Sequence, residues 1–196
     1  MHSTPGIMVE IMRIISEADF PGNWPALLPA LVTNLQSPHV LVLCNSLYSL
    51  RKLIKRYEYK HGDDRAPLDG IISATFPYLQ VLLSQLVSNN SPEAAEVLKI
   101  CFKIFHSCSL HSLPQAGGID VNLWFTILGT VLDKRLPEAS EGIEPLGQPT
   151  DPEARKAWVW WKLHKWTSRI ALLFIQRYGN PKYTTDAHKT FAAYFR

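Results

Sequence analysis

Several things are missing from this 196-residue chain. No apolar run reaches the ~18–20 residues that a membrane-spanning helix needs, so membrane insertion is not expected. Cysteine is scarce: Cys44, Cys101 and Cys108 are an odd number set in apolar helical text. They fit a reducing compartment and argue against a disulfide framework. Met1-His2-Ser3-Thr4-Pro5 has neither the basic nor the apolar region of a secretory signal. Convincing alternation of apolar and polar residues is absent, which argues against strands. Catalytic signatures are absent too: there is no Gly-x-Ser-x-Gly, no phosphate-binding Gly-x4-Gly-Lys, no His-Glu-x2-His and no Rossmann glycine pattern. The chain is not expected to be an enzyme or to carry a cofactor. Charge is nearly balanced, with a net of +3, too mild by itself to predict nucleic-acid binding.

What is present is helical periodicity broken by proline and glycine. Eight helical segments are expected. The first spans about 7–18, with Ile7, Ile11, Ile14 and Ile15 on one side. The second opens at Pro25, where a missing N–H costs nothing, and carries Leu27, Leu28, Leu31 and Leu35. Ser37-Pro38 reads as a cap and first position for the third, with Leu43, Leu47, Leu50, Ile54 and Tyr57 inward. Pro67 opens the fourth, whose stripe is Ile72, Phe76, Leu79, Leu83 and Leu86, with Pro77 as an internal kink. Ser91-Pro92 starts the fifth, which buries Ala94, Leu98, Cys101, Phe105 and Cys108. After the turn at Gly117-Gly118, the sixth presents Val121, Trp124, Leu128 and Val131. The seventh covers about 153–178 with Val159, Leu163, Trp166, Ile170 and Phe174, and Gly179-Asn180-Pro181 stops it. The eighth starts near Thr185 and presents Phe191, Tyr194 and Phe195.

Taken in pairs (7–36, 38–88, 91–135 and 153–196), the helices give an all-α array in a single segment. The pairs start about 31, 53 and 62 residues apart, which brackets the ~40–47 of HEAT-type repeats. A helical bundle with extra helices is the alternative. The turn "DFPGNWP" needs its own explanation, because a flexible linker has no use for a tryptophan. Pro21 and Gly22 can reverse the chain, Trp24 can plug the seam between two helices, and Asp19 and Pro25 flank the turn.

That turn resembles the Asp-x-Pro-x-x-Trp-Pro turn of an early repeat in importin-beta superfamily receptors. "LYSLRKLIKRYEYK", "RAPL" and "VWWKLHKWTSRIALLFIQRYGNPKY" are similar to the importin seven/eight branch of that superfamily. The resemblance runs from about residue 19 to the end and implies an internal slice of a HEAT-repeat solenoid with about four helix pairs. It also implies a non-catalytic receptor for protein import, moving between cytoplasm and nucleus through the nuclear pore. The implied partners are cargo proteins, a Ran-type GTPase bound by the intact receptor, and phenylalanine-glycine nucleoporins. Other classes compete: a generic HEAT scaffold for multiprotein assembly, or an RNA-associated helical-repeat protein.

Two surfaces are candidate partner sites. On the seventh helix Arg155, Trp158, Lys162, Lys165 and Arg169 share a sector about 80° wide, and Trp161 adds a surplus indole. Such a face can meet phosphates and bases or an acidic protein surface. A solvated face with cationic stems on Trp158 is the simpler reading, and direct nucleic-acid binding is not expected. Residues 136–152 are proline-rich and acidic, with Glu138, Glu141, Glu144 and Asp151 and no basic residue. They suit basic cargo or the cationic side of a GTPase; a solvated insertion is the plainer alternative. "CFKIFHSCSLH" brings zinc to mind, but on a helix His106 points about 140° from Cys101, so Cys101, His106, Cys108 and His111 do not converge and no metal is expected.

Overall fold

The structure, a computed structural model, describes residues 4–111, 113–114, 117–134, 150–178 and 189. Among these are eight α-helices, one 3-10 turn and no strand: α1 (Thr4–Asp19), α2 (Leu27–Leu35), α3 (Val40–Lys55), the 3-10 turn (Gly62–Arg65), α4 (Ala66–Leu86), α5 (Pro92–Ser109), α6 (Val121–Asp133), α7 (Pro152–Ala157) and α8 (Val159–Tyr178). This is an all-α fold of the HEAT-repeat class. The expected eighth helix and its stop at 179–181 lie outside the described residues.

The chain forms two compact units. The first comprises Met1–Leu82 and Lys103–Ile119. Its centre is α3, which packs on both α1 and α2. The four-three-four spacing read from sequence does its work here: Leu47, Leu50 and Ile54 are wholly buried, with Leu43 and Tyr57 nearly so. Truncating one such leucine to alanine typically costs about 2–5 kcal/mol. The inward stripe of α4 is also as expected through Ile72, Phe76 and Leu79, joined by Leu68 and Ile71.

The second unit comprises Leu83–Phe102 and Asp120–Arg196. There α8 packs on α6 and α7. Trp124, Leu128 and Val131 of α6 are buried, and Val121 is half-buried. Phe125 meets Phe174 edge-on at 5.1 Å between centroids, and Phe102 lies 6.5 Å from Trp124.

Helix starts followed local chemistry in some places and not in others. Ser91 Oγ accepts from the Ala94 N–H at 3.1 Å, with Pro92 in the first helical position, as expected. Asp120 Oδ1 accepts from Leu123 N–H at 3.0 Å and caps α6. Ser37 does not cap α3: its Oγ accepts from His39 N–H at 3.2 Å, and His39 is the residue before the helix. Pro25 likewise stands before α2 rather than in its first turn, because Ala26 is the flanking residue.

Three larger differences concern which face is inside. On α1 the isoleucines are outside: Ile7, Ile11, Ile14 and Ile15 are exposed, while Val9 and Ser16 are buried. The side facing α3 is fixed by polar bonds: Lys52 Nζ to Glu10 Oε2 at 3.1 Å, Ser49 Oγ to Met12 Sδ at 3.5 Å, and Arg56 to the Ser16 carbonyl. Hydrophobic periodicity finds an apolar stripe but does not say which neighbour covers it. The expected seventh helix is two elements, interrupted at Trp158, although the Trp158 N–H to Ala154 O (3.0 Å) and Lys162 N–H to Trp158 O (3.2 Å) bonds carry the ladder across. Finally, the buried face of α8 is Trp160, Leu163, Thr167, Ile170, Ala171 and Phe174. Trp166, expected in the core, is half-buried, and the face is turned about 50° toward Trp160.

Gly118 has a structural reason to be glycine. Its φ is +88°, and a Cβ there would stand 3.0 Å from Pro77 Cγ. Pro77, inside the continuous helix α4, is covered by this backbone, and Gln80 Nε2 donates to the Gly118 carbonyl at 3.0 Å. Gly62, at φ +55°, meets nothing within 4 Å. Gly118→Ala should therefore lower stability by about 1–3 kcal/mol, and more than Gly62→Ala, in paired denaturant melts. Equal losses would show that the Pro77 contact is not felt.

Candidate functional sites: a tryptophan turn and a cationic helix face

The turn after α1 is compact. Asn23 and Trp24 N–H groups both donate to the Asp19 carbonyl, at 2.7 and 3.0 Å, and Phe20 N–H donates to Ser16 O at 3.1 Å. The Phe20–Pro21 peptide is cis. Two expectations need correction. The aromatic that is buried is Phe20; Trp24 is half-buried. Gly22 has no positive φ and open space around it, so the turn does not require glycine there.

The side chain that locks the turn is Arg56. Its Nη1 donates to the Ser16 carbonyl at 2.7 Å and the Phe20 carbonyl at 2.8 Å. The same device recurs. Arg65 Nη1 and Nη2 donate to Tyr57 O at 3.3 Å and Cys108 O at 2.7 Å. Lys134 Nζ donates to Val87 O at 2.9 Å and Asn89 O at 3.0 Å, beyond the end of α4, and stands 5.4 Å from the Trp160 ring. Helix C-termini leave carbonyls unpaired and carry partial negative charge, so cations suit them. The signal available in sequence was the lack of a terminating glycine after α1, α4 and α5.

Buried polar groups cluster beside Arg65. Glu58 is buried and its Oε1 accepts from Ser107 Oγ at 3.3 Å; its Oε2 has no partner among the described atoms. Cys108 is fully buried, and burial pushes its thiol far up, so it is neither a reactive thiolate nor a ready metal ligand. Cys101 is also fully buried. Among the described residues no group of three His, Cys, Asp or Glu side chains could hold a metal ion. His61 and His111 approach to 4.4 Å between ring centroids on exposed turns.

The cationic face is on α8. Trp161, Lys165 and Arg169 are exposed, Trp158 and Lys162 half-buried, and the Arg169 guanidinium stands 5.1 Å from the Trp166 ring. Trp160, by contrast, is only 3% exposed, so it joins the core and not the surface row. Asp151 caps α7, its Oδ2 accepting from Ala154 N–H at 2.7 Å. The Arg155 side chain and Glu138, Glu141 and Glu144 lie outside the described residues.

Comparison with known proteins adds a family to this geometry. No family model matches the chain. It is 37% identical over 193 residues to an importin beta-like SAD2 homolog of Arabidopsis thaliana, covering 96% of this chain and 18% of that protein. It is 31% identical over 186 residues to Importin-8 of Mus musculus, covering 94% of this chain and 18% of the relative. The chain belongs to the importin family. A shorter match, 29% identity over 127 residues, links it to Exportin-2 of Dictyostelium discoideum. The chain spans about a fifth of the length of the importins it matches.

Two outcomes follow from the site geometry. Arg56→Ala should destabilise the chain by about 1–3 kcal/mol, because two carbonyls lose a charged donor; an unchanged melting midpoint would contradict that. His164 is held below the ordinary imidazole value, first by burial and then by the nearby Lys134 charge. A base with a depressed folded pKa takes up its proton more readily when unfolded. Stability is therefore complete above the unfolded value of about 6.5 and falls as pH drops below it. His164→Gln should flatten that part of the stability–pH curve, measured by urea unfolding between pH 7.5 and 5.

Proposed function

We propose that this importin segment is part of a non-catalytic receptor that carries proteins into the nucleus. The observation that supports it best is similarity to importins along 96% of the chain. In this reading the helix pairs 7–36, 38–88, 91–135 and 153–196 form one stretch of HEAT solenoid. The second helix of each pair (26–36, 67–88, 121–134 and 185–196) lines the concave side, where cargo and a Ran-type GTPase bind in the intact receptor. Nucleoporins bearing phenylalanine-glycine repeats dock on outer helices, and the protein works in cytoplasm, nucleus and pore. GTPase binding releases cargo by favouring another pitch, since small shifts between repeats add along a solenoid.

The α8 face and the acidic residues of 136–152 are the partner-binding surfaces in this reading. Arg56, Arg65 and Lys134 each bind backbone carbonyls, a positioning role that suits a binding scaffold. A generic assembly scaffold would share this helical build but would not discriminate between nucleotide states of a GTPase.

The deciding measurement is retention of Ran on immobilised protein. The full-length product carrying this chain should retain the GTP-loaded form and release the GDP-loaded form, while residues 1–196 alone retain little. Equal retention of both forms by the full-length product, or none, would overturn the receptor reading.

A further inference from the structure

α8 carries Lys162, Lys165, Arg169 and Arg177 and not one Asp or Glu across its 20 residues. Trp161, Lys165 and Arg169 stand one i, i+4 step apart, and their row is centred about 170° from the buried face of the helix, facing straight outward. None of Lys162, Lys165 and Arg169 forms an ion pair with a described carboxylate; the ion pairs among the described residues lie elsewhere, at Arg13, Lys52 and Lys99. The row therefore offers a half-open indole followed by two cations that have no ion-pair partner among the described residues.

Its spacing selects a shape of partner. An i, i+4 ridge runs about 26° off the helix axis. With ~6 Å of axial rise per step, successive side chains stand about 6.7 Å apart along it. An extended chain presents every second side chain on one face, at intervals of about 6.6–6.8 Å. The two repeats coincide over all three positions. We infer that Trp161, Lys165 and Arg169 bind an extended acidic peptide segment of a partner protein, with an apolar residue on Trp161 and carboxylates two and four residues along on Lys165 and Arg169. Lys162, in the adjoining row, adds positive potential at the flank of the same track. This rests on reading α8 as a partner-binding face and does not depend on the partner being a transport cargo.

A protein segment is favoured over a nucleic-acid strand by the aromatic side of the row. Strand binding without sequence preference uses open aromatic faces on which bases stack. Trp166 is already covered by the Arg169 guanidinium at 5.1 Å, and Trp161 is only 36% exposed. That leaves enough indole for an aliphatic side chain and not a free stacking platform. Carboxylates on alternate residues need no such platform.

The test uses the 196-residue chain and three fluorescein-labelled probes: the peptide Gly-Ser-Leu-Ser-Asp-Ser-Asp-Ser-Gly, a shuffled Gly-Ser-Ser-Leu-Asp-Asp-Ser-Ser-Gly of equal charge, and a nine-nucleotide oligouridylate. Fluorescence anisotropy at low and physiological salt reads binding. The alternating peptide should bind at least about threefold more tightly than the shuffled one, and Lys165→Glu with Arg169→Glu should weaken it about tenfold. Trp161→Ala should weaken it severalfold with the charges intact. Both sites are exposed; circular dichroism checks the fold, and the Lys165→Gln, Arg169→Gln pair should fall between wild type and reversal. Equal binding of both peptides would overturn the register, and indifference to charge reversal would remove the site. Tighter, reversal-sensitive binding of the oligouridylate would assign the face to nucleic acid. Loss of the peptide result alongside nucleotide-dependent Ran retention would leave the receptor reading standing, and the converse outcome would leave this one.

Discussion

A helix with one apolar flank stays folded in water only where something apolar covers that flank. Helical propensity alone is marginal over the 9 to 21 residues of most helices in this chain. The stability of the fold rests on stripes such as Leu47, Leu50 and Ile54 of α3, which are wholly buried because α1 and α2 close over α3. In the other unit, Leu163, Ile170 and Phe174 of α8 depend in the same way on α6. Every further feature, including the outward orientation of the cationic row, follows from which flank is covered.

Covering the flanks creates a second demand, because close helix packing brings together helix ends whose last carbonyls keep acceptor capacity that the helix does not fill. This chain meets it with cations reaching across the fold. Arg56 bonds the end of α1 from 40 residues away, Arg65 the end of α5 from 43, and Lys134 the end of α4 from 47. Such bonds tie elements that are distant in sequence, so they define turn geometry as well as satisfy polar atoms. The tryptophan turn is shaped by this: Arg56 bonds the carbonyl of Phe20, and Phe20 is the aromatic that goes inside.

The functional surface is what remains after these demands are met. Trp160 and Trp161 are neighbours in sequence with opposite fates. One is buried beneath the Lys134 ammonium, and the other faces outward with Lys165 and Arg169. A helix that carries cations and no acids along its outer side has a field that neighbours on the same helix do not cancel. Its recognition is electrostatic and salt-dependent, which suits reversible partners better than permanent ones.

Sequence by itself determined the helical class, most helix positions, most of the inward stripes of α3 through α6 and the kinship with importins. Each of these depends on local periodicity, capping residues or short shared motifs such as "DFPGNWP" and "VWWK". Only the tertiary structure decided which side of α1 faces α3, why Trp160 rather than Trp166 enters the core, and that Arg56, Arg65 and Lys134 bind carbonyls more than 30 residues away. The physical reason is that periodicity records how apolar residues are arranged around one helix. Which flank is covered, and which carbonyl needs a donor, is a property of two helices brought together.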